Sequence, residues 1–93
     1  MASQQELDSI RNEKISLQRE VDGNTKAIAG MMLEKDVLKD AMKFENDEAK
    51  RKEAASSHKK LCTRLEDLCD KQEELVMKLQ RVTDQERRLA SSI

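Results

Sequence analysis

The chain has 93 residues, of which 40% are charged, with a formal net charge of −1, no proline and one aromatic residue, Phe44. A globular domain of this size needs aromatic and β-branched residues for its core, so the composition argues against one. The balanced charge argues against a chain-wide field that attracts nucleic acid or anionic membrane. No apolar run approaches the roughly 20 residues of a membrane span.

The N-terminal segment begins with a helix-start signal and continues as a heptad repeat. Ser3 stands three residues before Glu6, as in a capping box, and the apolar series begins at Leu7. The series advances by alternating steps of three and four residues. Its apolar members are Leu7, Ile10, Leu17, Val21, Ile28, Met31, Leu38 and Met42. This is the period of a coiled-coil seam, and Lys14, Asn24 and Lys35 interrupt it. Such polar residues either fix the register and the number of partners or are tolerated weak spots.

Residues 22–25 (Asp-Gly-Asn-Thr) have the composition of a turn. The heptad phase nevertheless continues across them, from Leu17 and Val21 to Ile28 and Met31. Because a loop has no need to keep this phase, we predict one continuous helix that Gly23 weakens locally.

Two heptad frames overlap between residues 33 and 58. The second frame, extended backwards from the C-terminal repeat, selects Leu33, Val37 and Phe44, which lie about 200° around a straight helix from the first seam. Neither a stutter nor a stammer alone reconciles the two frames. The sequence therefore predicts two seams on one rod, a bend, or a hairpin near residues 54–57.

The second frame leads to a specific expectation for Leu33, Val37 and Phe44. A two-chain seam cannot cover both sets, and the uncovered set would form an exposed apolar strip. We expect these residues to contact a further helix, a second dimer or another protein's groove, with Phe44 as the anchor. The alternative is a loose seam in which either set packs imperfectly.

The C-terminal segment carries the strongest repeat in the chain. Its apolar members are Leu61, Leu65, Leu68, Leu75, Leu79, Val82, Leu89 and Ile93. The d positions are Leu61, Leu68, Leu75, Val82 and Leu89. Leucine at four of these five is typical of a parallel dimer, although Glu86 at an a position would then face its own copy. The e positions beside the seam (Cys62, Cys69, Val76, Thr83 and Ala90) are all small or apolar, which is typical of larger bundles. The g positions Arg64, Lys71 and Lys78 are basic without acidic e partners, and on balance we favour the parallel dimer.

His58, Cys62 and Cys69 are the residues that could bind a metal. Cys69 lies about 10 Å along a helix from Cys62, too far for one chain to place all three ligands around a zinc ion. With one histidine and no glycine-rich loop, neither a catalytic triad nor a phosphate cradle can be assembled, so we predict no enzyme and no cofactor. Two cysteines without a disulfide framework favour a reducing cytosol or nucleus, and we predict a cytoplasmic location.

Two other classes share parts of this pattern. Leucines that follow Lys50, Arg51 and Lys52 resemble a basic zipper, which would imply DNA binding, but acidic side chains nearly balance the basic ones. Gln72, a lone amide among apolar layers, is similar to the central layer of a SNARE-type bundle, although Asp47 and Arg51 break that pattern.

The sequence thus predicts an all-α, long coiled coil, most consistent with a parallel dimer, with a frame change in the middle. We divide it into an N-terminal coiled-coil segment (3–42), a polar transition (43–57) and a C-terminal leucine-heptad segment (58–93). The predicted function is oligomerisation and protein interaction within a larger cytoskeletal, centrosomal or trafficking scaffold. The expected partner is a second copy, a heteromeric helix, or both.

Overall fold

The computed structural model describes residues 3–92, which form two long α-helices. Helix α1 spans Gln4–Phe44 and helix α2 spans Glu48–Ser92. The predicted all-α class is therefore confirmed. Ile93, the last member of the leucine repeat, lies outside the described residues. Neither helix contains an apolar stretch long enough to cross a bilayer within this range.

The start of α1 has the predicted cap. The backbone N–H of Glu6 donates a hydrogen bond to Ser3 Oγ over 3.2 Å, and the N–H of Leu7 donates to the Ser3 carbonyl oxygen over 3.2 Å. The first bond satisfies a donor that the first helical turn leaves without an intrahelical partner, and the second is the first i→i−4 bond of the helix.

Helix α1 runs without a break through Gly23, which confirms the predicted continuous helix. Neither glycine of the chain has a positive φ, so both adopt ordinary helical backbone. A Cβ atom added at Gly23 or Gly30 would meet nothing within 4 Å. The two glycines therefore lower helix propensity at places where the described chain leaves room for a side chain.

Residues 45–47 form a loop between the two helices, and Asp47 caps the second helix. Its side-chain Oδ1 accepts a hydrogen bond from the Ala49 N–H over 3.0 Å, and its carbonyl oxygen accepts one from the Arg51 N–H over 3.0 Å. The turn lies at residues 45–47 and the predicted position near residues 54–57 is wrong, because residues 54–57 lie inside α2. Ala54 and Ala55 favour helix, and the cap is supplied upstream.

Each helix buries the residues of one heptad frame. The buried or half-buried residues of α1 are Leu7, Ile10, Lys14, Leu17, Val21, Asn24, Ile28, Met31, Lys35, Leu38 and Ala41. Those of α2 are Ala54, His58, Leu61, Cys62, Leu65, Leu68, Gln72, Leu75, Leu79, Val82, Thr83, Glu86 and Leu89. The buried residues of α1 follow the first frame as far as Leu38, and those of α2 include Cys62 and Thr83 beside the second frame. At the end of α1, Ala41 is half-buried while Met42, which was assigned to the seam, is 38% exposed.

The chain forms two compact units, and each contains part of both helices. Unit 1 combines residues 3–24 with 71–92, and unit 2 comprises residues 25–70. In unit 1, Lys14 contacts Glu86 and Asn24 contacts Gln72, so the two helical segments are antiparallel. In unit 2, residues 28–35 share a groove with 62–70, and residues 34–38 share one with 57–64. Unit 2 is thus also an antiparallel pair, closed by the 45–47 loop.

Candidate functional site

The polar interruptions of the two heptad seams meet each other in unit 1. Asn24 is 6% exposed, and its Nδ2 donates a hydrogen bond to Gln72 Oε1 over 2.8 Å. Lys14 Nζ donates to Glu86 Oε1 over 3.1 Å, and Arg11 Nε lies 3.7 Å from Glu86 Oε2. An amide buried without such a partner would cost about 1–3 kcal/mol. The pairing therefore gives polar residues of one seam matched partners in the other.

The same contacts bear on the direction of the helices. In a parallel pair of identical chains, Glu86 would face Glu86 and Lys14 would face Lys14, and like charges in contact are unfavourable. The antiparallel arrangement within unit 1 replaces these with one contact between opposite charges. Partly exposed pairs of this kind contribute at most about 1 kcal/mol, so they select the arrangement more than they stabilise it.

Burial of apolar side chains supplies most of the stabilisation, and it is confined to a narrow strip between the helices. In unit 1 the most buried apolar residues are Leu7 at 4% exposure, Leu75 at 5% and Val82 at 5%. In unit 2 they are Ala54 and Leu61, both at 7%. None of the described side chains falls below 2% exposure. Both units are therefore held by a single seam of side chains.

One side of each unit carries complementary charges. In unit 1, Glu13 and Glu20 of α1 line a groove with Lys78, Arg81 and Arg88 of α2. In unit 2, Glu34 of α1 lines a groove with Lys60 and Arg64 of α2. When two helices run antiparallel, residues at the same heptad position lie on the same side of the pair. Two of the basic g positions, Arg64 and Lys78, thus share grooves with acidic residues of α1.

The opposite side of unit 2 is different in character. Ile28 and Met32 of α1 face Cys62, Leu65 and Cys69 of α2 across a groove, which we call the thiol groove. Met32 is 56% exposed, Cys69 is exposed and Cys62 is half-buried. This side of the helix pair therefore presents thioether and thiol groups to solvent.

A third surface lies on α1 of unit 2. Leu33, Val37 and Phe44 are 70%, 67% and 72% exposed, and we call them the α1 stripe. Val37 also lines the groove of unit 2 that contains Glu34, Lys60 and Arg64. The Lys43 ammonium lies 6.0 Å from the centre of the Phe44 ring, at the limit of a cation–π contact.

The remaining predicted interaction residues occupy the seams. They are Leu7, Ile10, Leu17, Val21, Ile28, Met31, Leu38, Leu61, Leu65, Leu68, Leu75, Leu79, Val82 and Leu89, and all are buried or half-buried. Their position shows what they pack against in one chain, and their role towards another chain stays a prediction. Sequence reasoning overlooked Met32 and Met77, both 56% exposed. For Met32, its position one residue beyond the seam residue Met31 was the available signal.

The potential metal ligands are not brought together. His58 Nδ1 lies 3.8 Å from Cys62 Sγ, one helical turn away, whereas Cys69 is exposed. Within residues 3–92, no three His, Cys, Asp or Glu side chains are grouped so that they could hold a metal ion. His58 Nε2 is buried without a hydrogen-bond partner among the described residues.

No protein-family model, curated protein or solved structure matches this chain. We therefore infer its function from the contacts and exposed surfaces described above.

Proposed function

We propose that this chain is a non-enzymatic, coiled-coil interaction segment of a larger scaffold or adaptor protein. Its two helices pair with each other through their seams, and the α1 stripe binds a helix of a partner protein. The observation that carries the proposal is the exposure of Leu33, Val37 and Phe44 beside a seam that is already occupied. A cytoskeletal, centrosomal or trafficking setting and a cytoplasmic location stay predictions.

The α1 stripe has the spacing of a helix-docking surface. Leu33 and Val37 lie one turn apart and Phe44 lies two turns beyond Val37, all on one face of α1. Large apolar side chains left in water are unusual when they are grouped, and aromatic anchors contribute most to helix-in-groove binding. The partner we infer is therefore an amphipathic helix that places its own apolar side chains around Phe44.

The parallel homodimer also stays a prediction, and it would bring different seam residues into contact. In that dimer, Asn24 would face its copy and Gln72 would face its copy, whereas in the antiparallel pair the two amides face each other. Cross-linking between these positions separates the two arrangements. It also tests the premise of the proposed function, which is that the two helices of one chain pair with each other through their seams.

The cross-linking experiment uses a chain with Cys62→Ser and Cys69→Ser, to which Asn24→Cys and Gln72→Cys are added. A short bismaleimide should link the two new thiols within one chain, so the product keeps the 10.7 kDa mass apart from the added linker. The single substitution Asn24→Cys is the matched control and should give no linked product. Products of twice the chain mass, formed also by the single variant at low protein concentration, would contradict the antiparallel pair.

The interaction itself is tested by placing a photo-cross-linking amino acid at Leu33 in the full-length protein. We expect one dominant adduct in cells, identified by mass spectrometry, and its loss when Phe44→Ala is added. Gln80, an exposed polar position of α2, is the control site and should give no such adduct. Equal labelling at both positions, or an adduct that Phe44→Ala leaves unchanged, would refute docking at the α1 stripe.

The two alternative classes have their own signatures. Binding of duplex DNA at moderate salt would favour the basic-zipper interpretation, because phosphate contacts dominate such binding. Assembly only in the presence of three other helices would favour the SNARE-type bundle.

A further inference from the structure

Five of the eight residues that line the thiol groove are apolar or carry sulfur. Ile28 and Leu65 are half-buried at its base, and Met32, Cys62 and Cys69 form its walls. On the opposite side of the same unit, Glu34 faces Lys60 and Arg64. Both grooves include charged residues, among them Lys35, Glu66 and Asp70 in the thiol groove. The two sides differ next to the seam, where Glu34 and Arg64 are charged on one side and Met32, Cys62 and Cys69 are uncharged on the other.

This difference has a physical meaning in helix assemblies. In a two-helix coiled coil, both sides of the seam face water and usually carry charged residues. When more helices pack together, one side is covered, and small or apolar residues replace the charges there. Met32, Cys62 and Cys69 flank the seam of the thiol groove without charge, as residues on a covered side do, although Met32 and Cys69 are exposed in the single chain.

The charges along the two edges of the groove indicate what covers it. Lys35 borders it on α1, while Glu66 and Asp70 border it on α2. A surface with one basic and one acidic edge is complementary to itself under a twofold rotation, which places each basic edge on the partner's acidic edge.

We propose that unit 2 binds a second copy of this chain through the thiol groove, with twofold symmetry. Met32 of each copy enters the other copy's groove, and Lys35 approaches the acidic edge formed by Glu66 and Asp70. The resulting contact joins two helix pairs into a four-helix arrangement at unit 2. The inference rests on the antiparallel pairing within one chain, and it concerns a different surface from the α1 stripe.

The first test measures mass by sedimentation equilibrium from about 10 µM to about 1 mM, because an interface of limited area binds weakly. The chain should change from monomer to dimer across this range. Met32→Glu should weaken the dimer at least tenfold, since it places a charge in the groove without breaking the helix. Met77→Glu is the matched control: Met77 is also 56% exposed but lies outside the groove, and its variant should dimerise normally.

The second test measures the reaction rate of Cys69 with a maleimide in the Cys62→Ser variant. Because Cys69 is exposed in the single chain, it should react rapidly when the protein is dilute. At dimer-forming concentrations the rate constant should fall about tenfold, and Met32→Glu should restore it. Circular dichroism verifies that each variant remains helical.

Several outcomes would overturn the inference, and they are distinguishable from a failure of the proposed function. A monomer at every concentration, a dimer insensitive to Met32→Glu, or a Cys69 rate independent of concentration would each refute docking at the thiol groove. If Asn24→Cys and Gln72→Cys still cross-link within one chain, only this inference fails. If they cross-link between chains and the dimer survives Met32→Glu, the parallel homodimer is present and the antiparallel pairing fails as well.

Discussion

Replacing Leu75 by alanine tests where the stability of unit 1 comes from. Leu75 keeps only 5% of its surface exposed, so nearly all of its side chain is removed from water. Burial of a leucine is worth about 1.5–3 kcal/mol, and truncation adds the cost of the space left behind. Because Leu75 lies in a single seam close to solvent, neighbouring side chains can move into the space that its truncation leaves. We therefore expect a loss of about 2–3 kcal/mol in the free energy of unfolding, at the low end for leucine-to-alanine changes.

Leu33→Ala is the matched control, because it removes the same atoms from a residue that is 70% exposed. Exposed substitutions usually change stability by less than about 0.5 kcal/mol. Urea unfolding, followed by circular dichroism at several protein concentrations, measures both variants. With a urea dependence of about 1 kcal/mol per molar, Leu75→Ala should lower the midpoint by about 2–3 M.

Leu75→Met guards against a variant that is too unstable to measure. It conserves side-chain volume and should cost less than about 1.5 kcal/mol, between the wild type and Leu75→Ala. Equal losses for Leu75→Ala and Leu33→Ala would show that the seam of unit 1 is not the main source of stability. The same conclusion would follow if Leu33→Ala were the more damaging change.

Three further changes test local features of the helices. Gly30→Ala should raise the free energy of unfolding by about 0.5–1 kcal/mol in thermal unfolding, because the added Cβ meets nothing within 4 Å; a destabilised variant would show that something packs on Gly30. Asp47→Ala should cost about 1 kcal/mol by removing the acceptor for the Ala49 N–H, and a neutral result would argue against this cap for α2. Ser3→Ala should increase amide hydrogen exchange at Glu6, since it removes the 3.2 Å bond from that N–H to Ser3 Oγ; unchanged exchange would argue against the N-terminal cap.

The sequence predicted which residues of each helix would be covered, but not what would cover them. Leu61 and Leu75 were assigned to a seam from their spacing alone, and both are buried. A heptad repeat records only that one face of a helix is apolar, so it is equally compatible with a second copy and with another segment of the same chain. The residues that favour one arrangement are the polar interruptions, where Lys14 complements Glu86.

The position of the loop between α1 and α2 was the other point that the heptad spacing did not reveal. Residues 45–47 contain neither glycine nor proline, the usual signals for a loop. Asp47, followed by Glu48 in the first turn, is nevertheless a helix-start signal, and it was available in the sequence. The exposure of Met32 depends on how far the helices leave their flanks open, which a one-dimensional pattern does not specify.

The contact between Asn24 and Gln72 also bears on how unit 1 would respond to a force along its helices. Two helices joined by a heptad seam can slide past each other in steps of seven residues, about 10 Å, because each step restores apolar contacts. One such step would move Asn24 from Gln72 to Leu79, which lies seven residues further along α2. Burying an amide against leucine without a hydrogen bond would cost about 1–3 kcal/mol. Unit 1 should therefore favour one offset under shear, held by the amide pair together with the contact between Lys14 and Glu86.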